Sequence, residues 1–480
     1  MKKYIFYIIL VFGFSFGACN DWLDVPSKTE VIDYEMFTTE QGFMDGMAGV
    51  YYLMTDDGLY GDMLTMTFLD MLARRYDVSH GGYNIGNLGT DINDVGYYQR
   101  SEVVSVVDNF WKKGYNVIAN LNSLLEQIED YKSVFVNDNY RLIKGEALGL
   151  RAFMHFDLMR MFGQSYRNAG DELTIPYVTK LSGREWPLFH TEDEVMRFAL
   201  QDLQQADSLL AVDDLYSSSV ENSWLNSRRS HFNRCAVYAT MAQIYHWKGD
   251  TEKALEYANK VIDSRQFTFF DPQKSNMNQR DVAFYTECIF TLNKENLQKV
   301  YLKRFNDLTS EVLYNQKEDI ELLFEIGSGG STDYRFSWLW YLYKDPNSTL
   351  EIYRYYRYSG SVAQKTNLVT LMRLSEMYYI AAECSGNTVE GRKYLNEVRV
   401  NRGLAKLAED ISDESYRNEI LKEYRKEFFG EGQLFYYYKR LDQKIIVDHD
   451  NVTLVDIEIP GYVFPLPEAE LELRNATTVE

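Results

Sequence analysis

The stretch Tyr238-Ala239-Thr240-Met241-Ala242-Gln243-Ile244-Tyr245, followed by Gly249-Asp250 and then by Ala254, decides the fold of this chain. Apolar residues recur in it at three- and four-residue intervals, which predicts a helix over 231–248 that ends at Gly249. A second stretch with the same periodicity, 251–264, follows directly. Small alanines let two antiparallel helices pack closely where they cross. The sequence therefore predicts a pair of helices joined by a tight Gly-Asp turn.

The same helical periodicity extends along the chain on both sides of this pair. It predicts further helices over 104–129, 139–162, 192–211, 370–385, 389–402 and 414–429. The positions of Tyr245, of the small residues and of the Gly-Asp turn match the spacing of a tetratricopeptide repeat, and 377–403 is a looser second copy. Such pairs bury their apolar faces only by stacking on one another. We therefore expect a mainly α-helical fold with a tetratricopeptide-like body, in a single domain over 19–480.

The helical pattern fails in two long segments. Residues 56–100 are rich in Gly, Asn and Asp, and residues 265–368 are aromatic and partly alternating, without a sustained helical period. Loops of this length in a compact body are usually functional or disordered, and the aromatic content argues against disorder. The two segments are predicted to be loop-rich insertions that form the ligand-binding face.

The first residues have the layout of an export signal. Lys2 and Lys3 precede the apolar run 4–16, and Gly17 and Ala18 lead into Cys19. This order of charged, apolar and small residues predicts a cleaved signal peptide over 1–18. A Cys after two small residues is typical of a bacterial lipobox, in which the Cys becomes the acylated N-terminus, although Phe16 stands where most lipoboxes have Leu. The alternative is an ordinary signal peptide followed by a Cys that occurs there by chance.

The net charge of −21 excludes several classes of partner. A strongly acidic protein repels phosphate backbones, so we expect no nucleic-acid binding, and membrane contact only through the lipid on Cys19. No metal motif and no cofactor motif is present. A bridging Ca²⁺ would suit an acidic exported protein, but no EF-hand-like loop indicates one. The 38 Tyr are about twice what average composition predicts, and Tyr suits both helix packing and ligand platforms.

Three cysteines remain once Cys19 is assigned to lipid: Cys235, Cys288 and Cys384. An odd number in an exported protein argues against a disulfide framework. Cys235 and Cys384 lie on the apolar faces of predicted helices, where a free Cys behaves as a small hydrophobic residue. We therefore interpret all three as structural.

The sequence contains neither a metalloprotease motif, nor a nucleophile elbow, nor a phosphate-binding loop. His155, on the predicted helix 139–162, is interpreted as a structural hydrogen-bonding residue. Glu423, Glu427 and Glu431 recur at i,i+4 spacing near Arg425, Lys426 and Arg440, which predicts a salt-bridged, solvated helix face. We therefore expect no enzymatic activity.

Ten aromatic residues lie within 331–360. Phe336, Trp338 and Trp340 alternate, so in an extended segment all three would face the same way and could form a stacking platform, with Arg335 supplying polar contacts. Alternatively, the row packs against the helical body, and both interpretations remain open for 334–343. For 353–358 packing is favoured, since continuous aromatic residues suggest burial on both faces.

Five segments together resemble the RagB/SusD family of surface lipoproteins, in the order that the family has them. They are 22–26 after Cys19; 115–120; 147–163; 371–383 with 395–399; and 423–432 with Arg440 and 464–467. Two departures are Tyr424, where the family more often has Glu, and a short tail after Pro467. Both affect packing more than function.

The resemblance implies an α-helical nutrient-binding protein with no catalytic activity, anchored by lipid in the outer membrane and facing the cell exterior. It would capture an oligosaccharide or a peptide and deliver it to a SusC-like, TonB-dependent β-barrel transporter. Family members often build ligand contacts from a loop near 60–100. In this region the side chains suited to binding a hydroxyl-rich ligand are Arg75, Tyr76, Asp77, Tyr83, Asn84, Tyr97 and Tyr98.

Two other functions remain as alternatives. A tetratricopeptide scaffold of the cell envelope would bind proteins in a concave helical groove, and its loops would be dispensable. A surface glycan hydrolase would need two carboxylates across a sugar cleft, and nothing in the sequence indicates such a pair.

Overall fold

The computed structural model describes residues 34–78, 83–88, 96–181, 187–215, 223–274, 281–306, 311–344, 351–359, 367–457 and 461–477. The predicted signal peptide, the lipid-bearing Cys19 and the family-like segment 22–26 lie outside these ranges. The domain boundaries stay a prediction for the same reason.

The described residues form a mainly helical structure, as the sequence predicts. The helices are α1 (Glu40–Met54), α2 (Phe68–Leu72), α3 (Ser101–Gln127), α4 (Asn139–Phe162), α5 (Tyr166–Ala169), α6 (Glu192–Leu209), α7 (Arg234–Lys248), α8 (Thr251–Asp263), α9 (Leu297–Tyr301), α10 (Lys317–Leu323), α11 (Tyr334–Leu339), α12 (Leu374–Cys384), α13 (Thr388–Asn401), α14 (Asp413–Glu427), α15 (Gln433–Arg440) and α16 (Glu468–Thr477).

Short strands connect and flank these helices. They are β1 (Leu173–Pro176), β2 (Phe189–Thr191), β3 (Cys288–Asn293), β4 (Asn315–Gln316), β5 (Trp340–Lys344), β6 (Glu351–Tyr355), β7 (Leu368–Arg373), β8 (Ile445–Val447) and β9 (Leu454–Asp456). They pair as β1-β2, β3-β7, β4-β6-β5 and β8-β9, and every pairing is antiparallel.

The helix pair predicted around Gly249 is confirmed as α7 and α8. Gly249 ends α7 with a φ of +80°, a left-handed conformation that glycine adopts without steric cost. Asp250 then caps α8, because its side chain accepts a hydrogen bond from the Lys253 amide at 3.1 Å. Ala242 and Ala254 are fully buried. Close packing of the two helices therefore depends on these small residues.

The looser second copy is α12 and α13, which pack against each other, and α12 also packs against α8. Helices α4, α6 and α7 continue the body on its other side. The prediction of one helix over 370–385 is wrong in its first residues, because 368–373 form strand β7, which pairs with β3. The strand has no helical period because its residues are buried on both faces.

The two loop-rich segments lie outside the helical pairs. Within 56–100 the described residues form turns and the short helix α2. Within 265–368 they form β3 to β6 and the short helices α9 to α11, and a π-helical turn covers Leu302–Asn306. In the described ranges no helix combines the length and the apolar character needed to cross a membrane.

His155 lies in the interior of this body. Its Nε2 accepts a hydrogen bond from the Val178 amide at 2.9 Å, and its Nδ1 lies 2.8 Å from the Arg151 carbonyl oxygen. Burial lowers the pKa of His155 to about 3, so the ring stays neutral and donates from Nδ1. This arrangement fits the structural role expected from the sequence.

Candidate functional site

The β5–β6 hairpin has one face in the core and one face toward solvent. Trp340 and Tyr355 are cross-strand partners on the inner face, and both rings pack on Phe429. The Tyr355 hydroxyl donates to the Phe429 carbonyl at 2.8 Å. Because side chains alternate along a strand, the residues next to Trp340 on β5 and next to Tyr355 on β6 point to the opposite, outer face. A rigid inner face thus holds the outer face in place.

The outward side chains form a surface that we call the tyrosine face: Tyr341, Tyr343, Arg354 and Tyr356. Tyr341 is 53% exposed, and the other three are partly exposed. The Tyr341 and Tyr356 rings meet edge to face with centroids 5.9 Å apart. The Arg354 guanidinium lies over the Tyr343 ring, 3.8 Å from its centroid. Aromatic rings and a flat cation therefore share one accessible surface.

The turn Leu302–Asn306 borders the tyrosine face. Arg354 Nη1 donates to Asn306 Oδ1 at 3.0 Å, and the Tyr301 and Tyr356 rings lie 6.0 Å apart. On the same turn, the Arg304 guanidinium covers the ring of Tyr83 at 4.2 Å. The turn thus places the loop around Tyr83 beside the β5–β6 hairpin.

Backbone hydrogen bonds hold that loop in position. The Asp77 amide donates to the Tyr314 carbonyl at 3.0 Å, and the Tyr83 amide donates to the Val312 carbonyl at 2.8 Å. Directly after this segment, β4 pairs with β6. The structure therefore brings together the two segments from which the sequence predicts ligand contacts, although they lie more than 200 residues apart.

Among the predicted contacts in the first segment, Arg75, Tyr76 and Tyr97 are buried. Arg75 packs on the Phe429 ring and donates to the Arg425 carbonyl. The Tyr76 hydroxyl donates to the Met66 carbonyl, and the Tyr97 hydroxyl donates to the Ile85 carbonyl at 3.0 Å. These polar atoms thus stabilise the loop itself, and a ligand-binding role for the three residues stays a prediction.

Other predicted residues of this segment keep part of their surface. Tyr83 is partly exposed beneath Arg304, and Tyr98 is partly exposed while its hydroxyl donates to Gly461. Asn84 is also partly exposed, and its side-chain oxygen accepts from the Leu88 amide at 2.7 Å. Asp77 is buried and accepts from Gln316. Tyr83 contacts the turn that borders the tyrosine face through Arg304.

The extended conformation on which a stacking platform of Phe336, Trp338 and Trp340 would depend is not found. Residues 334–339 form helix α11, so the three side chains do not share one face. Trp338 packs edge to face on Phe270, and the partly exposed Phe336 lies between Phe324 and Tyr353. For this row the structure supports the packing interpretation, while a ligand-binding role for each residue stays a prediction.

Arg335, predicted as a polar ligand contact, is buried in a cluster of ion pairs. Its guanidinium lies 2.7 Å from Asp333, 2.8 Å from Glu423 and 2.9 Å from Glu427. All of its charge therefore faces protein carboxylates. A ligand contact through Arg335 would require this cluster to open.

The prediction of a solvated face with Glu423, Glu427 and Glu431 is wrong. All three carboxylates are buried, because the end of α14 and the turn after it, which carries Glu431, face arginines on β7 and at the end of α13. Burial by itself raises the pKa of Glu427, but Arg402, Arg373 and Arg335 outweigh it and hold that pKa well below its usual range. Buried charges occur in folded proteins when they are paired in this way.

One group of described residues has the side-chain types of a metal site. Asp77, Asp319 and His449 bring two carboxylates and an imidazole within 4.8 Å of one another. His449 Nδ1 lies 3.1 Å from Asp319, and Nε2 lies 3.8 Å from Asp77. Because each ring nitrogen faces a different carboxylate, the geometry fits a protonated imidazole better than a single metal ion.

Sequence reasoning did not select Tyr341, Tyr343, Arg354 and Tyr356 as a site. Their alternation with buried Trp340 and Tyr355 is the period-two signal of a half-buried strand. The signal was hidden because the helical residues 334–339 precede the strand in the same aromatic run. Only the location of that boundary shows which aromatic residues face outward.

Comparison with known families agrees with this architecture. A family model described as "Starch-binding associating with outer membrane" matches residues 21–246, and the SusD family model matches residues 212–473. A SusD-like protein of Formosa agariphila is 22% identical over 283 residues. This match covers 57% of the chain and 49% of the relative, so the chain spans about half the length of that curated relative.

Solved structures share the fold over most of the chain. A SusD superfamily protein from Bacteroides thetaiotaomicron has a TM-score of 0.70 at 22% identity, covering 90% of this chain and 98% of that one. A SusD-like carbohydrate binding protein from Bacteroides vulgatus has a TM-score of 0.69 at 17% identity, with coverage of 91% and 97%. Surface glycan-binding protein A from Bacteroides uniformis has a TM-score of 0.66 at 17% identity, with coverage of 91% and 98%.

At these identities the structures establish the fold, and the family follows from the sequence match. The SusD family model spans more than half of the chain, from the segment that precedes α7 to α16. This protein therefore belongs to the SusD family.

Proposed function

We propose that this protein binds carbohydrate on the tyrosine face and does so without cleaving it. The observation that carries the proposal is the exposed ring surface of Tyr341, held on a strand whose opposite face is anchored in the core. Sugar rings present C–H groups that stack on aromatic faces, while their hydroxyls need hydrogen-bond partners. The tyrosine hydroxyls and Arg354 supply such partners.

The rigidity of the site favours binding. Trp340, Tyr355 and Phe429 lock the inner face of the hairpin, so few side-chain rotations are lost when a ligand stacks on the outer face. Tyrosine also has few rotatable bonds for its contact area. A preorganised aromatic surface of this kind suits capture of a flexible oligosaccharide.

Names given to structural relatives support the ligand class. One relative is a SusD-like carbohydrate binding protein, another is a surface glycan-binding protein, and one matching family model is described as starch-binding. The proposal transfers this class to the present chain. A peptide is the alternative ligand class, and the experiment must distinguish it from an oligosaccharide.

The proposal includes a location and a partner. The sequence pattern before Cys19 supports a lipid-anchored protein on the exterior of the outer membrane. There it would hand its ligand to a SusC-like, TonB-dependent transporter. Palmitate labelling of wild type and Cys19→Ser in the native host tests the anchor. Co-purification of the anchored protein with a β-barrel partner tests the handover.

The decisive experiment measures binding by calorimetry, with the chain from residue 20 onward, against oligosaccharides and peptides. We expect an oligosaccharide to bind and to be recovered intact. Tyr341→Ala removes the most exposed ring of the tyrosine face, so its affinity should fall about tenfold, which corresponds to about 1.4 kcal/mol. Tyr341→Phe keeps the ring and should retain most of the affinity.

Tyr52 provides a matched control. It is 70% exposed on α1, a helix that contributes no residue to the tyrosine face, so Tyr52→Ala should leave the affinity unchanged. Binding of peptides alone would contradict the carbohydrate class. A cleaved ligand would contradict the binding-only function, and equal loss in both alanine variants would contradict the assigned surface.

A further inference from the structure

Arg354 uses little of its hydrogen-bonding capacity within the protein. A guanidinium has five N–H donors. In the described residues, Arg354 donates from Nη1 to Asn306 Oδ1, and its Nε is buried without a hydrogen-bond partner. The ion pairs formed among the described residues do not include Arg354. The remaining Nη hydrogens of this partly exposed side chain, and not the buried Nε, are therefore left for a ligand.

The neighbouring arginine shows the contrast. Arg304, on the adjoining turn, binds Asp62 through Nε at 3.0 Å and through Nη2 at 2.7 Å. Its positive charge is thus neutralised inside the protein. Both arginines stack on a tyrosine ring, Arg304 on Tyr83 and Arg354 on Tyr343, but Arg304 is buried on its carboxylate, whereas Arg354 is partly exposed.

Stacking fixes the orientation of the Arg354 guanidinium. With its plane over Tyr343 and one edge on Asn306, the group cannot turn freely. A planar, oriented fork of N–H donors matches the two oxygens of a carboxylate or of a sulfate ester. A neutral sugar hydroxyl would use only one of these donors at a time.

We propose that the ligand of the tyrosine face is an acidic glycan, whose carboxylate or sulfate group binds Arg354 while a sugar ring stacks on Tyr341. This inference rests on the proposed carbohydrate-binding function and adds the charge of the ligand. The net charge of −21 does not prevent an anionic ligand from binding at this position. Long-range repulsion is screened within about 10 Å at 0.1 M salt, whereas a contact with one oriented guanidinium is short-ranged.

The test compares three oligosaccharides of equal length by calorimetry: a neutral one, an oligouronate and a sulfated one. We expect at least one acidic glycan to bind tenfold or more tightly than the neutral glycan in 0.1 M NaCl. Which of the two binds more tightly identifies the anionic group. Arg354→Gln should reduce the affinity for that acidic glycan to the affinity for the neutral glycan. Arg354→Lys should retain part of the difference, because lysine keeps the positive charge but lacks the planar pair of N–H donors.

Arg197→Gln is the matched control, because Arg197 is an exposed arginine stacked on Phe198 at 4.2 Å, on α6 of the helical body. It should leave the preference for acidic glycans unchanged. The inference is overturned if neutral and acidic glycans bind equally, or if Arg354→Gln keeps the preference. In both cases a loss of binding in Tyr341→Ala would still uphold the proposed function, whereas the absence of binding to any glycan would overturn both.

Discussion

His449 joins two segments of the loop-rich side that lie far apart in the sequence. Its ring lies between Asp319 on α10 and Asp77 on the loop that leads to Tyr83, and Asp448 and Asp450 are its chain neighbours. Burial lowers the pKa of His449, but the hydrogen bond to Asp319 and the charges of Asp319, Asp448 and Asp77 outweigh burial and raise it. The charged imidazole thus stabilises the junction.

A pH dependence follows from the direction of this shift. A pKa that is higher in the folded than in the unfolded state adds stability that is fully present below the unfolded value of about 6.5. This stability is lost as the pH rises through the higher folded value. We therefore expect His449→Gln to lower the unfolding midpoint at pH 5.5 and to differ much less from wild type at pH 9, in thermal unfolding followed by circular dichroism.

His190 serves as the comparison, since it lies near the surface, 3.5 Å from Glu194 in the next turn of the chain. His190→Gln should change the unfolding midpoint little at either pH. A constant difference between wild type and His449→Gln across the pH range would show that the imidazole acts through packing and not through its charge.

At the scale of an element, α14 shows how one helix face joins several others. Glu427 binds Arg402 at 2.6 Å and Arg335 at 2.9 Å, and it also contacts Arg373. These arginines come from the end of α13, from α11 and from β7. One carboxylate at the end of α14 thus connects the second helix pair to the segment that carries β5 and the tyrosine face.

Loss of that carboxylate should destabilise the fold strongly. Glu427→Gln leaves three buried guanidiniums with less compensating charge, and removal of one partner from a buried ion pair costs about 3–5 kcal/mol. We expect the free energy of unfolding, from urea denaturation, to fall by about this amount. Glu390→Gln removes an exposed partner of Lys393 on α13 and should cost less than about 1 kcal/mol. Similar losses in the two variants would contradict the role of burial.

At the scale of the whole molecule, the fold is held together without a disulfide among its described residues. Cys235, Cys288 and Cys384 are free and buried, in agreement with the structural role interpreted from the sequence. Burial raises the pKa of Cys235 and of Cys288 to about 11, and that of Cys384 to about 12. Thiols that are both buried and protonated react slowly.

Thiol labelling provides a test of global packing. In the chain from residue 20 onward, a thiol reagent at pH 8 should label almost no cysteine in the native state and three in 6 M guanidinium chloride, as counted by mass spectrometry. Reducing agent should leave the unfolding midpoint unchanged. Rapid labelling of Cys235 alone in the native state would show local opening at the start of α7.

Helical periodicity, capping residues and the Gly249 turn were sufficient to predict most of the long helices, because these signals act between residues three or four positions apart. The family could be recognised for the same reason, since its motifs lie on these helices and at their ends. The boundaries between helix and strand could not be predicted at 370–373 and at 334–340, because buried or aromatic runs show neither a helical nor a strand periodicity.

The sequence by itself therefore determined the helical body, its repeated pairs and its family. Only the tertiary structure decided which polar and aromatic side chains are buried. Glu427 has the spacing of a surface residue and is buried, while Tyr341 stands in an aromatic run and is exposed. The physical reason is that exposure depends on partners far along the chain, such as Arg335 for Glu427 and Phe429 for the hairpin that carries Tyr341. The neighbouring residues in the sequence do not specify those partners.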